Sequence, residues 1–173
     1  MYWESRKDNN YYKYVIQWLN EIGHHASYMD VGTCDTPIIQ SGSFDRRIAV
    51  DILKQPALEG VESIVGDFMI LDLPYVSVVT CLQVLEHVFD PAAFAQKLLN
   101  TADKVLVSVP YEWPKGFCNE HIHDPIDMDK FYGWLGREPV NSIIINDNNH
   151  LRLVAQWDGL KSLRGIRKSR LKG

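Results

Sequence analysis

Residues 28–35, with the sequence YMDVGTCD, decide the fold of this chain. An apolar, strand-like run ends there in an acidic residue, and Gly32 follows one residue later. A glycine lets the backbone turn sharply and pass close to a ligand, because no Cβ atom stands in the way. Open parallel sheets bind their ligands just beyond the carboxyl ends of such strands. The segment therefore predicts an α/β fold with a ligand site at Asp30 and Gly32.

Two further strand-like segments end in the same way. The segment 47–51 ends in Asp51, and the segment 61–65 is followed closely by Asp67 and Phe68. A carboxylate at the second strand end can accept hydrogen bonds from both hydroxyls of a ribose. After the third strand, the Asp67 carboxylate suits the amine of an adenine, and the Phe68 ring suits the face of the base. Each aspartate alone is also typical of a turn or cap. Aspartates at the ends of three successive strands, however, favour a nucleoside site.

Strand-like and helix-like patterns alternate along the chain, as they do in a mostly parallel sheet. The predicted strands are 28–31, 47–51, 61–65, 76–81, 104–109, 140–145 and 150–156, and the predicted helices are 10–22, 51–59, 90–102 and a stretch from 126 to 135. The polar connection 147–149 predicts that the last two strands form an antiparallel hairpin. We therefore predict one domain over residues 1–159.

The composition is that of an ordinary soluble domain, with 46% hydrophobic and 23% charged residues. The longest apolar runs are too short to cross a bilayer, and no apolar stretch resembling a signal peptide follows Met1, so we expect a cytoplasmic protein. Cys34, Cys81 and Cys118 are odd in number and lack CxxC spacing. They predict neither a disulfide framework nor a zinc site.

The net charge of −4 is unevenly distributed. Residues 160–173 contain six basic residues and no acid, which leaves 12 basic against 22 acidic residues in the rest of the chain. We expect this terminus to be a solvated, flexible tail. The acidic body argues against nucleic acid as a general partner, since binding phosphates requires a broad basic face.

Residues 78–91, with the sequence VVTCLQVLEHVFDP, resemble the fourth-strand block of the class I S-adenosylmethionine-dependent methyltransferases. The resemblance extends over about residues 27–157. It implies a Rossmann-like methyltransferase fold, in which helices cover both faces of a seven-stranded, mostly parallel sheet with a C-terminal antiparallel hairpin. It implies S-adenosyl-L-methionine as the cofactor. The residues that it places at the cofactor are Asp30, Gly32, Cys34, Asp51, Ile52, Asp67, Phe68, Gln83 and Glu86.

The loop after the first strand departs from the pattern of this family. Cys34 and Thr36 stand where the family usually has further glycines, Pro37 follows them, and the segment 37–46 is short for a first helix. The incomplete glycine pattern also argues against a nicotinamide dehydrogenase, which needs GxGxxG. These departures favour one alternative, a non-catalytic protein that keeps the fold for binding or regulation.

The segment 119–125, with the sequence NEHIHDP, follows the fifth strand and carries two histidines. Imidazole has an unperturbed pKa of about 6.5 and suits a general base, so His121 or His123 is the candidate, oriented by Glu120 or Asp124. His87 is a second candidate. Two alternatives remain open: the histidines only hold the loop in place, or His121, His123 and an acid bind a divalent cation. We assign no metal ligand from the sequence.

The function predicted from these residues is O-methylation of a small molecule or of a sugar or glycan hydroxyl. A protein or nucleic acid is an alternative acceptor. The acidic body argues against nucleic acid, and no Asn-Pro-Pro-Tyr type of amino-methylating motif follows the fourth strand. The sequence leaves the acceptor and the oligomeric state open.

Overall fold

The computed structural model of the chain describes residues 2–162. They contain one seven-stranded sheet with the strand order β3-β2-β1-β4-β5-β7-β6. The strands are β1 His24–Val31, β2 Ser43–Asp51, β3 Val61–Val65, β4 Val76–Leu82, β5 Ala102–Pro110, β6 Asn141–Asp147 and β7 His150–Asp158. Strands β1 to β5 pair in parallel, while β7 is antiparallel to both β5 and β6. The predicted mostly parallel sheet with a terminal hairpin is confirmed.

Helices lie on both faces of the sheet, as predicted. They are α1 Asn10–Glu21, α2 Pro91–Thr101 and α3 Met128–Leu135. The apolar side of α1 packs with inward-facing residues of β1, β4, β5 and β7, such as Tyr28 and Val78. Helices α2 and α3 bury Phe94 and Phe131 against the opposite face. None of the helices in residues 2–162 is long and apolar enough to cross a membrane.

Local sequence signals explain where several elements begin and end. The Asp90 side chain accepts a hydrogen bond from the Ala93 N–H at the start of α2, which satisfies one of the free donors of the first turn. Between β6 and β7, Asn148 and Asn149 have φ angles of 52° and 69°. Two consecutive left-handed residues make the tight turn that fits the twist of a hairpin.

The predicted helix over residues 51–59 is wrong, because residues 52–60 form no helix. Pro56 lies in the middle of this segment, and a proline inside a helix removes a backbone hydrogen bond. The carboxylate of Asp51 also accepts the N–H of Leu53 at 2.9 Å. This local turn competes with the first turn of a helix.

The connection from β1 to β2 also contains no α-helix. It contains a single 3-10 turn, Pro37–Gln40, which buries Ile38 and Ile39 against the sheet. Of the predicted basic tail, residues 160–162 are described: Leu160 packs against the core, and the Lys161 ammonium lies 4.0 Å from the centroid of the Tyr75 ring. Residues 163–173 lie outside the described part of the chain.

Candidate cofactor and acceptor site

The site forms where the direction of the sheet's connections reverses. From β1 the chain proceeds outward through β2 and β3, and it then returns to place β4 on the other side of β1. The loops that follow these two central strands therefore diverge and leave a crevice, which is the general ligand position in open α/β sheets. The Gly32 N–H donates to the Val50 carbonyl at 2.8 Å, and the Gly66 N–H donates to the Asp51 carbonyl at 2.9 Å. These bonds hold the three strand ends in register.

Two adjoining cavities occupy this crevice. The first has a volume of about 550 Å³, and the second has about 170 Å³. Of the predicted cofactor residues, Gly32, Asp51, Ile52, Asp67 and Phe68 line the first cavity, and Asp30, Gly32, Cys34 and Gln83 line the second. Gly32 and His87 line both. The two cavities therefore meet at these two residues.

Gly32 is fixed as glycine by two independent constraints. Its φ is 77°, a left-handed value that L side chains rarely adopt. A Cβ atom built at this position would also clash with the Val84 side chain. Cys34 has a left-handed φ of 51° without being glycine, and its N–H donates to Asp51 Oδ2 at 2.8 Å. This bond ties the β1 loop to the end of β2.

Asp51 and Asp67 are both held by backbone donors. Asp51 accepts from the N–H groups of Cys34 and Leu53, one on each oxygen, and Asp67 accepts from the N–H of Met69 at 2.8 Å. Each carboxylate oxygen has a second lone pair, so both groups can still accept from a ligand. Phe68 is 4% exposed and packs 4.8 Å from the Phe94 ring. It forms a rigid apolar wall of the first cavity.

Asp30 is a buried carboxylate that lines the second cavity. The Thr80 hydroxyl donates to it at 2.5 Å, and no ion pair involves it among the described residues. Burial raises the pKa of Asp30 to about 6, against the hydrogen bond from Thr80. A cationic group of a ligand in this cavity would supply the missing charge partner.

The side chain of Gln83 is engaged within the protein. Its amide N–H donates to Ser108 Oγ at 3.0 Å, and its amide oxygen accepts from Arg152. Arg152 is 5% exposed, with Nε 3.4 Å from a carboxylate oxygen of Asp147 and its guanidinium 4.8 Å from the centroid of the Tyr11 ring. Sequence reasoning missed Arg152. The available signal was a single arginine in the otherwise apolar run 151–155.

The three predicted catalytic histidines differ in whether they line the cavities and in their hydrogen-bond partners. His87 lines both cavities, and its Nδ1 lies 3.0 Å from the Glu120 carbonyl oxygen; burial lowers its pKa. The His121 side chain is only 7% exposed, and its Nδ1 lies 2.7 Å from Asp124 Oδ2. His123 Nε2 lies 2.8 Å from the Val88 carbonyl oxygen. His121 and His123 lie outside the lining of both cavities.

Glu86 differs from the other predicted cofactor residues in its position. Its side chain is 1% exposed and lines neither cavity. Neither of its carboxylate oxygens has a hydrogen-bond partner among the described residues. The distance from Glu86 Oε1 to His87 Nε2 is 3.9 Å, which is too long for a hydrogen bond. Burial raises the pKa of Glu86 to about 8.

No family model and no curated protein sequence matches the chain. Solved structures do match. The N-methyltransferase NodS from Bradyrhizobium japonicum WM9, in complex with S-adenosyl-L-homocysteine, superposes with a TM-score of 0.71 at 9% identity, over 88% of this chain and 89% of that one. Magnesium protoporphyrin IX methyltransferase ChlM from Synechocystis PCC 6803, with bound SAH, gives 0.61 at 15% identity, over 85% and 81% of the two chains.

The [4+2]-cyclase SpnF also matches, with a TM-score of 0.63 at 10% identity, over 79% of this chain and 59% of that one. A [4+2] cyclisation differs from methyl transfer, so the shared architecture does not by itself fix the reaction. At these identities the likeness concerns the fold. The strand order, the terminal hairpin and these neighbours show that the chain has the Rossmann-like fold of the class I S-adenosylmethionine-dependent methyltransferases.

Proposed function

We propose that the chain binds S-adenosylmethionine in the first cavity and transfers its methyl group to a hydroxyl of a small molecule, such as a sugar, in the second. The observation that carries this proposal is the junction of the two cavities, where Gly32 and His87 line both. A donor and an acceptor bound on either side of this junction are brought within reach of each other. Such alignment is the main contribution that a protein makes to a displacement between two bound molecules.

The first cavity has the chemistry of an adenosine site. Asp51 offers acceptor positions for the ribose hydroxyls, Asp67 offers one for the adenine amine, and Phe68 supplies an apolar wall. The volume of about 550 Å³ is within the range of cofactor pockets. Asp30 lines the second cavity close to Gly32 at the junction and has no cation beside it among the described residues. The methionine moiety would extend across the junction to place its ammonium group at Asp30, and the acceptor would occupy the rest of the second cavity. The adenosylhomocysteine bound to NodS and to ChlM supports the same reading of the fold.

The second cavity favours a small, polar acceptor. Its volume of about 170 Å³ holds a small molecule and no folded macromolecule. Tyr2 and Tyr12 contribute aromatic rings, while Thr36 and His87 contribute polar groups. Aromatic rings beside hydrogen-bonding groups suit the apolar face and the hydroxyls of a sugar ring.

The transfer is an in-line displacement. The acceptor oxygen attacks the methyl carbon, the carbon–sulfur bond breaks to leave a neutral thioether, and the hydroxyl proton passes to solvent water. A hydroxyl is a weak nucleophile until that proton is removed. The polar groups around His87 therefore matter more for a hydroxyl acceptor than for a neutral amine.

Binding of S-adenosylhomocysteine tests the cofactor assignment. At 100 times its dissociation constant the ligand should stabilise the protein by about 2.7 kcal/mol, which raises the melting temperature by about 5 to 10 °C for a chain of this size. Asp51→Ala should weaken the affinity at least tenfold, as expected when a charged hydrogen-bond acceptor is lost. Asp45→Ala removes an exposed carboxylate from the same strand and is the matched control. An unchanged affinity in Asp51→Ala would contradict the ribose assignment.

The acceptor assignment needs a transfer experiment. The protein is incubated with S-adenosylmethionine carrying a deuterated methyl group and with pairs of monosaccharides that differ only in a hydroxyl or an amine. Mass spectrometry should find the label on the hydroxyl sugars. Label on the amines alone would contradict O-methylation and leave the cofactor assignment standing.

A non-catalytic binding protein is the second candidate, and one observation favours it. Cys34 lines the second cavity with a left-handed backbone, at a position where the family usually has a glycine. Its side chain takes up room that an acceptor would need. Binding of S-adenosylhomocysteine without transfer to any of the sugars above would favour this candidate over the enzyme.

A further inference from the structure

A cluster of metal-ligating side chains lies behind the junction of the cavities. Glu86, His87 and His121 each place one donor atom within 4.8 Å of the donors of the other two. The loop after β4 supplies the first two residues, and the loop between β5 and α3 supplies the third. The Ile122 N–H donates to the Glu86 carbonyl at 3.0 Å, and the His87 ring bonds to the Glu120 carbonyl. The two loops are thus fastened together at the cluster.

The hydrogen bonds of the two rings fix which nitrogen is free. His87 Nδ1 faces a carbonyl oxygen, which can only accept, so this nitrogen carries the proton. His121 Nδ1 faces the Asp124 carboxylate at 2.7 Å, and the same argument applies. Each ring then keeps an Nε2 lone pair. Histidines that bind metals show this pattern, with the second ring nitrogen held by a carbonyl or a carboxylate.

Glu86 supplies an independent observation. Its carboxylate is 1% exposed, and both oxygens lack a partner among the described residues. Buried polar groups in proteins are normally hydrogen-bonded, paired with a charge or bound to a metal, because leaving them without a partner is costly. The guanidinium of Arg152 does not fill this role, since it bonds to Gln83 and lies beside Asp147. A cation between Glu86 and the two imidazoles would satisfy the carboxylate.

We propose that Glu86, His87 and His121 bind one divalent first-row metal ion, with Zn²⁺ as the expected occupant. Two imidazoles and one carboxylate are a common zinc ligand set, whereas Mg²⁺ and Ca²⁺ prefer oxygen ligands alone. Bonds of about 2.0 to 2.2 Å require the donors to approach by about 1 Å from their present separations. Asp124 is the outer partner that orients His121. His123 is not a ligand, because its Nε2 is bonded to the Val88 carbonyl.

The location gives the ion a role in the proposed transfer. His87 lines both cavities, whereas Glu86 and His121 line neither, so the ion would lie behind His87 and would fix the position of this side chain at the junction. The site itself does not depend on the proposed function, because its ligands are separate from the groups assigned to the cofactor's adenosine.

Metal binding to the full chain tests this site directly. Metal-free protein, prepared with a chelator, is titrated with Zn²⁺ against a chromophoric competitor, and Co²⁺ is added to a second sample to record its absorption spectrum. We expect one ion per chain and a cobalt spectrum of low coordination number with nitrogen and oxygen ligands. Glu86→Gln and His121→Ala should each weaken Zn²⁺ binding at least 100-fold. Asp124→Asn should weaken it about tenfold, as is typical of outer-shell partners.

The matched control is His24→Ala, which removes an exposed histidine beside Asp45 on the far end of β1 and should leave Zn²⁺ affinity unchanged. The fold of the Glu86→Gln variant is checked by thermal unfolding without metal, and a cooperative transition would show that the fold survives the substitution. The proposal is overturned if the wild-type chain binds no stoichiometric Zn²⁺, or if Glu86→Gln and His121→Ala bind it as the wild type does. S-adenosylhomocysteine affinity is measured on the same wild-type sample, so failure of the cofactor assignment is seen separately.

Discussion

The two halves of the sheet are built differently. Strands β1 to β3, which carry the residues assigned to adenosine, are joined by a four-residue 3-10 turn and by the irregular segment 52–60. Strands β4 to β6 are joined through the full helices α2 and α3. The connections within the cofactor half thus contain no α-helix, whereas those within the acceptor half contain two.

This difference changes how each half holds its site. Ile52, which lines the first cavity, is 69% exposed, and Leu53 and Ile70, which each follow a lining residue in the sequence, are 66% and 82% exposed. Support there comes from tight turns and from the bonds of Asp51. The acceptor half instead buries a polar network around Arg152 and Gln83. We infer that ligand binding stabilises the cofactor half, whereas the acceptor half is pre-formed.

Arg152→Ala should have the largest effect on stability. The substitution leaves Asp147 buried without its nearby guanidinium, and breaking a buried ion pair typically costs about 3–5 kcal/mol. The melting temperature should fall by about 10 °C. If the two halves are supported separately, the affinity for S-adenosylhomocysteine measured well below the transition should change little.

The double variant Asp147→Asn/Arg152→Met is the control for this experiment. It removes both charges and retains a side chain that caps α1, since Asp147 accepts from the first N–H groups of that helix. Replacing a buried pair by uncharged groups costs less than breaking it. A single variant as stable as the wild type would show that the network does not support the acceptor half.

Gly32→Ala should have the next largest effect, this time on the cofactor half. The left-handed φ of 77° costs an alanine about 1–2 kcal/mol, and the clash with Val84 adds a cost of similar size. We expect a loss of about 2–3 kcal/mol in chemical unfolding, together with loss of S-adenosylhomocysteine binding. The same substitution at Gly60, which has a φ of 72° and no atom within 4 Å of its Cβ position, should cost only the backbone strain. Equal effects at both glycines would refute the close contact.

Asp30→Asn should stabilise the protein in a pH-dependent way. Because the pKa of Asp30 is raised to about 6 in the fold, the protonated group stabilises the native state below its unfolded pKa of about 3.9. That stabilisation is lost as the pH rises through about 6. At pH 8 the free energy of unfolding of the variant should therefore be about 3 kcal/mol higher than that of the wild type, and the difference should vanish near pH 4.

The same variant should weaken S-adenosylhomocysteine binding, since the ammonium of the ligand loses its charge partner. Asp45→Asn, an exposed carboxylate on β2, should change stability by less than about 0.5 kcal/mol at either pH. A wild-type chain more stable than Asp30→Asn at pH 8 would contradict the cost assigned to the buried carboxylate.

The contrast between the halves also explains what the sequence could predict. The strand ends at Asp30, Asp51 and Asp67 were predicted because each strand carries its own signal, an apolar run followed by an acid or a glycine. The helix over 51–59 was wrong because its pattern does not reveal that the Asp51 side chain captures the Leu53 N–H.

The histidine cluster was beyond sequence reasoning for a different reason. His87 and His121 are 34 positions apart, and only the folded loops bring their rings to 4.8 Å. The spacing of His121 and His123 suggested a pair, but the fold turns their rings to different partners, Asp124 and Val88. Short local patterns predict strand ends, whereas contacts between two loops depend on how each loop packs.

Cys34→Gly should have the smallest effect on stability and the most direct bearing on function. Glycine relieves the strain of the left-handed φ of 51°, but it also increases the entropy of the unfolded chain, so the net gain is about 0.5 kcal/mol or less. Removing the side chain enlarges the second cavity. If Cys34 restricts the acceptor, the variant should methylate bulkier hydroxyl substrates faster than the wild type, at similar affinity for S-adenosylhomocysteine. Glu112→Gly relieves the same strain at an exposed residue with a φ of 53°, and transfer rates that rise equally in both variants would assign the effect to the backbone and not to the cavity.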